Sequence, residues 1–200
     1  KLDIMEKVLK VHVPSRIIEI IRRRISGKKS LHIFASVAKK EGYEQIAGVF
    51  METAEQEKEH AKRFFKFLEG GMVEITASYP AGVIGTTAEN LAAAAAGENE
   101  EWLNCILSSL RSQRKKVSPL NRQYFPSDCK GRKPKHEARY RKLLKRVETG
   151  KVFERDEEIE WQCRNCGYVL KGKKAPMKCP ACETSSGLIS KPKKIIIKNL

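Results

Sequence analysis

No stretch of this chain approaches the roughly 20 consecutive apolar residues needed to cross a bilayer, so a membrane-spanning protein is not expected. The first residues, KLDIMEKVLKVHVPSRIIEIIRRR, lack both a continuous apolar core and a small-residue cleavage site. No secretory signal is read there, which implies a cytoplasmic protein with Met5 nearer the true start. Acidic residues are scarce: 24 Asp+Glu face 40 Lys+Arg, for a formal net charge of +16. That deficit by itself points to nucleic acid or another anionic surface. Composition does not depart otherwise from a soluble globular chain. Hydrophobic residues at 40% and charged residues at 32% exclude disorder and collagen, and 200 residues suffice for one compact domain or two small ones.

The charge is unevenly placed. Residues 1–33 carry a net +6, 34–102 a net −6, 103–135 a net +8, 136–182 a net +5 and 183–200 a net +3. The most basic blocks are also those with the weakest structural pattern. Segments 34–69 and 86–102 read as helical, with Ile46, Val49, Phe50, Ala54, Ala61, Phe64 and Leu68 at helical spacing and Gly70-Gly71 as a stop. Pro80-Ala81-Gly82 marks a loop, and Thr86 with Glu89 forms a capping box before an alanine-rich helix. Residues 103–135 show no clean period and contain three prolines, and 136–150 is again helical with Gly150 as its stop.

Two constellations carry chemistry. Cys163-x-x-Cys166 and Cys179-x-x-Cys182 are separated by twelve residues. Such pairs place four thiolates on two tight knuckles, a tetrahedral cage suited to iron or zinc; spacing alone does not choose the metal. A disulfide framework is the weaker alternative in a chain without a secretory signal. The second constellation is Glu57-x-x-His60 on one helix, Glu98-x-x-Glu101 on another and His136 on a third. Residues three apart share a helix face, so each pair can aim at one metal from inside a bundle. A lone Glu-x-x-His is ordinarily a solvated charged face, but three such pieces match the inventory of di-iron carboxylate bundles. Glu59 and Glu100 fall off these faces and are expected in solvent.

The stretches AKKEGYEQIAGVF, EKEHAKRFFKFLEGG, YPAGVIGTTAENL, AAGENEEW, HEARYRKLL, GKVF and CRNCGYV with KCPAC, in this order, resemble the rubrerythrins. The resemblance covers roughly 34–102 and 136–182. It implies an α+β multidomain chain, with a ferritin-like four-helix di-iron bundle over 1–150, a linker over 151–159 and a rubredoxin-like domain over 160–200. It further implies that Glu57, His60, Glu98, Glu101 and His136 bind the di-iron centre and act in catalysis, while Cys163, Cys166, Cys179 and Cys182 hold one mononuclear iron. The implied activity is a non-haem iron peroxidase of oxidative-stress defence. It would reduce hydrogen peroxide to water with electrons relayed through the rubredoxin-type iron. The implied partners are a reduced-pyridine-nucleotide-dependent reductase or rubredoxin and a second copy of the chain, with neither nucleic acid nor membrane. Alternatives are a ferroxidase bundle and, from the charge and the cysteine pairs, a zinc-ribbon nucleic-acid-binding protein.

Two departures from the family pattern stand out. The resemblance calls for a metal-binding Glu on the first helix, in a G-E-S-Q-A-R-N-R-Y context, and for another shortly before the last His. Here the stretches read RRRISGKKSLHIF and KGRKPKHE. Leu103 to Ser118 admits codons that, read from the third base, give E-L-Y-P-E-F-A-K-I-A-E-E-E-G-F. Arg23 to Phe34, read from the second base, gives G-E-S-Q-A-R-N-R-Y-T-Y, with its Glu across the Arg24 and Ile25 codons. Asn121 to Arg132, shifted by one base, yields I-A-N-I-F-R-A-I-A-K-V-E, with its Glu across the Arg132 and Lys133 codons. In the intact part, Glu57 follows Phe50 by seven residues, and the recovered E-G-F and I-A-N-I-F pieces place a Glu at the same distance from their Phe. Insertions and deletions over 6–33 and roughly 103–135, either sequencing errors or real lesions, would explain the departures. The bundle is then expected to be disrupted in 1–33 and 103–135. Cys105 and Cys129 lie in the shifted block.

Overall fold

The computed structural model describes the backbone of residues 15–66, 82–114 and 133–192, and the side chains of most of these. The expected stop at Gly70-Gly71, Leu68, the Pro80-Ala81 part of the loop, the Phe64 side chain and both Cys105 and Cys129 side chains lie outside the described residues. Four α-helices are described: α1 Ser15–Lys40, α2 Glu44–Phe65, α3 Thr87–Arg114 and α4 Lys133–Glu148. They make up the expected helical bundle, and a small cysteine-rich sheet follows.

The helices begin and end where local chemistry dictates, and one end corrects the sequence reading. Segment 34–69 was expected to be continuously helical, yet α1 stops at Lys40 and α2 starts at Glu44. Gly42 takes φ +82, the left-handed region that a glycine enters without steric cost. The Tyr43 N–H then donates to Ala38 O at 2.7 Å and the Gly42 N–H to Lys39 O at 3.1 Å. This paired termination satisfies two carbonyls at the end of α1. Gly150, at φ +66, ends α4 in the same way, with Lys151 N–H to Arg146 O and Gly150 N–H to Val147 O, and this was the stop expected.

The disruption expected in 1–33 and 103–135 concerns packing by side chains that mostly lie outside the described residues. The backbone itself is helical over 15–33 and over 103–114. The physical reason lies in the breakers. LNCILSSLRSQR contains neither proline nor glycine, and all three prolines of the block, Pro119, Pro126 and Pro134, come after it. Pro134 itself is the second residue of α4, where a missing N–H costs nothing. Residues 15–40 contain only Gly27 as a weak former, a cost of about 1 kcal/mol that 26 residues absorb.

In the α1 and α2 segments, Leu31, Phe34 and Ala35 are buried on one helix and Val49, Phe50, Thr53, Ala54 and Ala61 on the other. The Phe34 and Phe50 rings meet at 5.7 Å with their planes tilted by 60°. The Thr53 hydroxyl is satisfied by donating to Val49 O at 3.1 Å. Separately, α3 packs against α4, with Leu91, Ala95 and Tyr140 buried. The Glu41 carboxylate, in the turn before α2, accepts the Thr87 N–H at the start of α3 (3.2 Å to each oxygen). Tyr43 in the same turn stacks on Phe153 at 6.3 Å.

The C-terminal part is an antiparallel sheet of β1 Glu154–Cys163, β2 Val169–Lys174 and β3 Ile189–Ser190, in the order β2-β1-β3. Trp161 pairs with Leu170 and Gln162 with Ser190, and the ladder slips between Glu154 and Ile159. Its core is Trp161, Cys163, Cys179 and Ile189. The buried indole N–H of Trp161 donates to Gly172 O at 2.9 Å, and the Arg155 guanidinium lies 5.0 Å over the indole. Burial of Arg155, with Arg146 nearby, lowers its pKa.

Candidate metal centres

The sheet exists to hold two knuckles that repeat each other. Cys163 N–H donates to Tyr168 O at 2.8 Å and Gly167 N–H to Cys163 O at 2.9 Å. In the second, Cys179 N–H donates to Thr184 O at 2.8 Å and Glu183 N–H to Cys179 O at 2.9 Å. Each knuckle needs a left-handed residue four places after its first cysteine, and Gly167 (φ +80) and Glu183 (φ +56) supply it. The four Sγ atoms, expected together from spacing, lie within 4.8 Å of one another. Cys166 and Cys179 are 3.6 Å apart, and Cys163 and Cys182 are 3.7 Å apart. A tetrahedral ion with metal–sulfur bonds of about 2.3 Å sets its sulfurs about 3.8 Å apart. All four thiols are free, so the disulfide alternative does not apply to them.

The protonation of the four sulfurs is strained in a way that a cation relieves. Hydrogen bonds from the Thr184 hydroxyl, the Thr184 N–H and the Asn165 amide favour the Cys182 thiolate and hold its pKa down to about 5. At Cys166 the Tyr168 N–H also favours the thiolate. Hydrogen bonds shared with Cys182, Cys179 and Cys163, together with desolvation, outweigh it and push that pKa up to about 12. Sulfurs this close cannot all carry charge unless a positive ion sits among them.

Further side chains that could hold a metal ion among the described residues are Glu57 in one compact unit of the chain, and Glu98 and His136 in the other. Glu57 on α2 is 5% exposed and Glu98 on α3 is 9% exposed, in places where an unpaired carboxylate is costly. Two carboxylate–imidazole pairs recur: His60 Nδ1 is 3.2 Å from Glu57 Oε1, and His136 Nδ1 is 3.4 Å from Glu98 Oε1. The other Glu98 oxygen, Oε2, is buried with no hydrogen-bond partner. An acceptor left this way calls for a hydrogen-bond donor or a cation, and a metal would supply the latter. His60, beside Glu57 on α2, and Glu101, beside Glu98 on α3, are partly buried. Glu59 and Glu100 are exposed, as expected. Sequence reasoning missed Asn165 and Thr184. Both contact the Cys182 sulfur, and the only available signal was their position within and just after the two cysteine pairs.

Comparisons with known proteins agree with this geometry. The sequence pattern of the rubrerythrin family matches residues 25–144, and that of the rubrerythrin rubredoxin-like domain matches residues 161–187. A rubrerythrin of Porphyromonas gingivalis is 65% identical over 153 residues, covering 74% of this chain and 74% of that protein. A rubrerythrin of Nitratidesulfovibrio vulgaris is 46% identical over 156 residues, covering 78% of this chain and 81% of that protein. A solved structure of nigerythrin in a partially reduced state superimposes with a TM-score of 0.52 at 22% identity, over 88% of this chain and 84% of that one, and shows a shared fold.

Proposed function

The chain belongs to the rubrerythrin family, and from that premise we propose that it is a non-haem iron peroxidase that reduces hydrogen peroxide to water. The observation that carries the reading is the joint presence of a Cys₄ cage and a buried glutamate–histidine group in one chain. Iron is the metal that gives both clusters redox chemistry: one-electron cycling among thiolates, and two electrons for the O–O bond at a carboxylate–histidine centre. The balance is one hydrogen peroxide, two protons and two electrons to two waters.

The chain's own residues supply the setting. Cys163, Cys166, Cys179 and Cys182 would hold one iron that supplies one-electron chemistry, and Glu57, His60, Glu98, Glu101 and His136 would hold the irons that supply electrons to peroxide. The Glu57 carboxylate hydrogen-bonded to the His60 imidazole would orient the ring and make it a stronger donor. Electrons enter from a reductase or rubredoxin fed by reduced pyridine nucleotide, and the protein works as a cytoplasmic homodimer in oxidative-stress defence. No helix among the described residues is long and apolar enough to cross a membrane. The bundle comprises residues 1–150 and the rubredoxin-like domain 160–200. The carboxylates absent from the first helix and from the turn before His136 are encoded one base out of frame.

Iron loading followed by stopped-flow mixing of the reduced protein tests the reading. Peroxide should reoxidise it faster than oxygen does. Glu98→Ala should lower iron occupancy outside the Cys₄ site by at least about tenfold while keeping the ferric-thiolate colour. Preference for oxygen would make the bundle a ferroxidase, and a colourless zinc protein with salt-dependent DNA affinity would overturn the reading altogether.

A further inference from the structure

The turn between α1 and α2 touches three other parts of the chain, all within one compact unit. Glu41 accepts the Thr87 N–H at 3.2 Å to each oxygen, which ties the turn to the start of α3. The Tyr43 ring stacks on Phe153 at 6.3 Å with the two planes 16° apart. Phe153 lies between α4 and β1, next to the buried Val152, and its carbonyl accepts the Ala175 N–H at 2.9 Å. The third contact is the tightest. A Cβ built on Gly187 would lie 2.6 Å from Gly42 O and 3.2 Å from Gly42 C, closer than a side chain can come. Only a glycine lets these two backbones meet, since a backbone oxygen cannot swing aside as the end of a side chain would. Gly187 is in turn fixed to both knuckles. It sits in the 3-10 turn Ser186–Leu188, where Leu188 O accepts the Arg164 N–H at 2.8 Å and the Ser186 N–H donates to Met177 O at 2.9 Å. Arg164 lies between Cys163 and Cys166, and Met177 just before Cys179. The joint between α4 and β1 is braced as well: the Arg155 guanidinium, over the Trp161 ring, donates to Lys151 O at 3.2 Å and to Val152 O at 3.0 Å.

We propose that the turn Glu41–Tyr43 is the docking surface for the chain's own cysteine-rich sheet, which it holds through Phe153 and Gly187, and that this seat positions the four-cysteine iron for electron relay. The relay part rests on the reading of that site given above. A sheet held at two points keeps one orientation, whereas a sheet on a slack linker samples many, and passing an electron between held centres depends on their placement. Glu41 anchors the seat to α3, so the sheet is held against the helix that carries Glu98 and Glu101. Tyr43, Phe153 and Gly187 act through that placement and touch neither iron nor substrate.

The test is tryptic cleavage of the iron-loaded full chain between Lys151 and Val152, followed by mass spectrometry as the new end at Val152. Because Val152 is buried, the cut reports how often the joint lifts. Tyr43→Ala and Phe153→Ala each remove one ring of the stack and should speed the cut by about tenfold. The double variant should gain little more, since the second ring has already lost its partner. Tyr43→Phe keeps the ring and should match the parent. Gly187→Ala leaves both rings in place and should open the same joint by forcing the two backbones apart. The opened variants should keep the ferric-thiolate colour and the potential of the parent, while peroxide reoxidises their reduced four-cysteine iron at least about tenfold more slowly. An unchanged cut in Gly187→Ala or in both ring variants would overturn the proposal. So would loss of the colour in Tyr43→Ala, which lies outside the sheet, or an opened joint with unchanged reoxidation. Absence of peroxide turnover in the parent, with the joint opened by the substitutions, would count against the peroxidase reading and leave the docking surface standing.

Discussion

Glu89 is the third residue of α3, and its carboxylate accepts the Thr86 N–H at 2.7 Å and the Thr86 hydroxyl at 2.9 Å. Hydrogen bonds from the Thr86 backbone and side chain hold its pKa below the ordinary 4.5. A carboxyl whose folded value is depressed adds stability above its unfolded pKa, and that stability disappears as pH falls through the folded value. Thermal melts taken at pH values from neutrality downward should therefore show a loss below about pH 4.5 that Glu89→Gln reduces. Thr86→Ala should cost about 1 kcal/mol at neutral pH, because the helix loses its cap. Melts whose pH dependence is the same for Glu89→Gln and the parent would refute the assignment.

At this scale the sequence was informative wherever chemistry depends on short spacing. Thr86 with Glu89 and the two cysteine pairs are separated by three residues each, so their contacts are fixed by one turn or one knuckle. The Thr184–Asn165 contact spans 19 positions and exists only because the two knuckles face each other. Its only sequence signal is the place of the two residues within and just after the cysteine pairs.

Among the elements, the boundary most visible in the structure was invisible in the periodicity. The apolar pattern runs on through Tyr43 and Ile46, so 34–69 reads as one helix, and the break depends on a single glycine. Gly42 and Gly150 terminate α1 and α4 by the same two hydrogen bonds with the same left-handed φ. A Cβ at either position meets nothing within 4 Å, so the cost of a side chain there comes from the backbone alone. Gly42→Ala and Gly150→Ala should each destabilise the fold by about 1 kcal/mol, read as a lower urea midpoint with an unchanged slope. A neutral Gly42→Ala would mean that the turn relaxes out of the left-handed region and that the paired termination is dispensable. Gly150 was legible because no apolar period follows it, whereas Gly42 lies inside one.

For the whole molecule, the net charge of +16 is the property that most misleads a reading by composition. Blocks 1–33, 103–135 and 183–200 carry a net +17, and the remaining residues a net −1. Where the shifted frame yields E-E-E-G-F, the chain carries Arg114-Lys115-Lys116-Val117-Ser118. Fifteen consecutive family-like residues recovered across Leu103 to Ser118 are hard to obtain by codon choice alone, because each shifted codon contains at least one base that the written residue fixes. The same shift places a carboxylate three residues before His136, repeating the spacing of Glu57 and His60. The coding DNA should therefore carry these codons, with single-base changes of frame bounding 6–33 and 103–135, and intact mass of the expressed protein shows which frame the cell translates. A chain rebuilt in the restored frame should be less basic. It should bind iron outside the Cys₄ site at least about tenfold more tightly than the present chain, since two further carboxylates offset the metal charge. Coding DNA that excludes the shifted codons, or a restored chain with no gain in iron binding, would return the basic charge to the native protein. A nucleic-acid-binding role would then have to be tested by the salt dependence of binding.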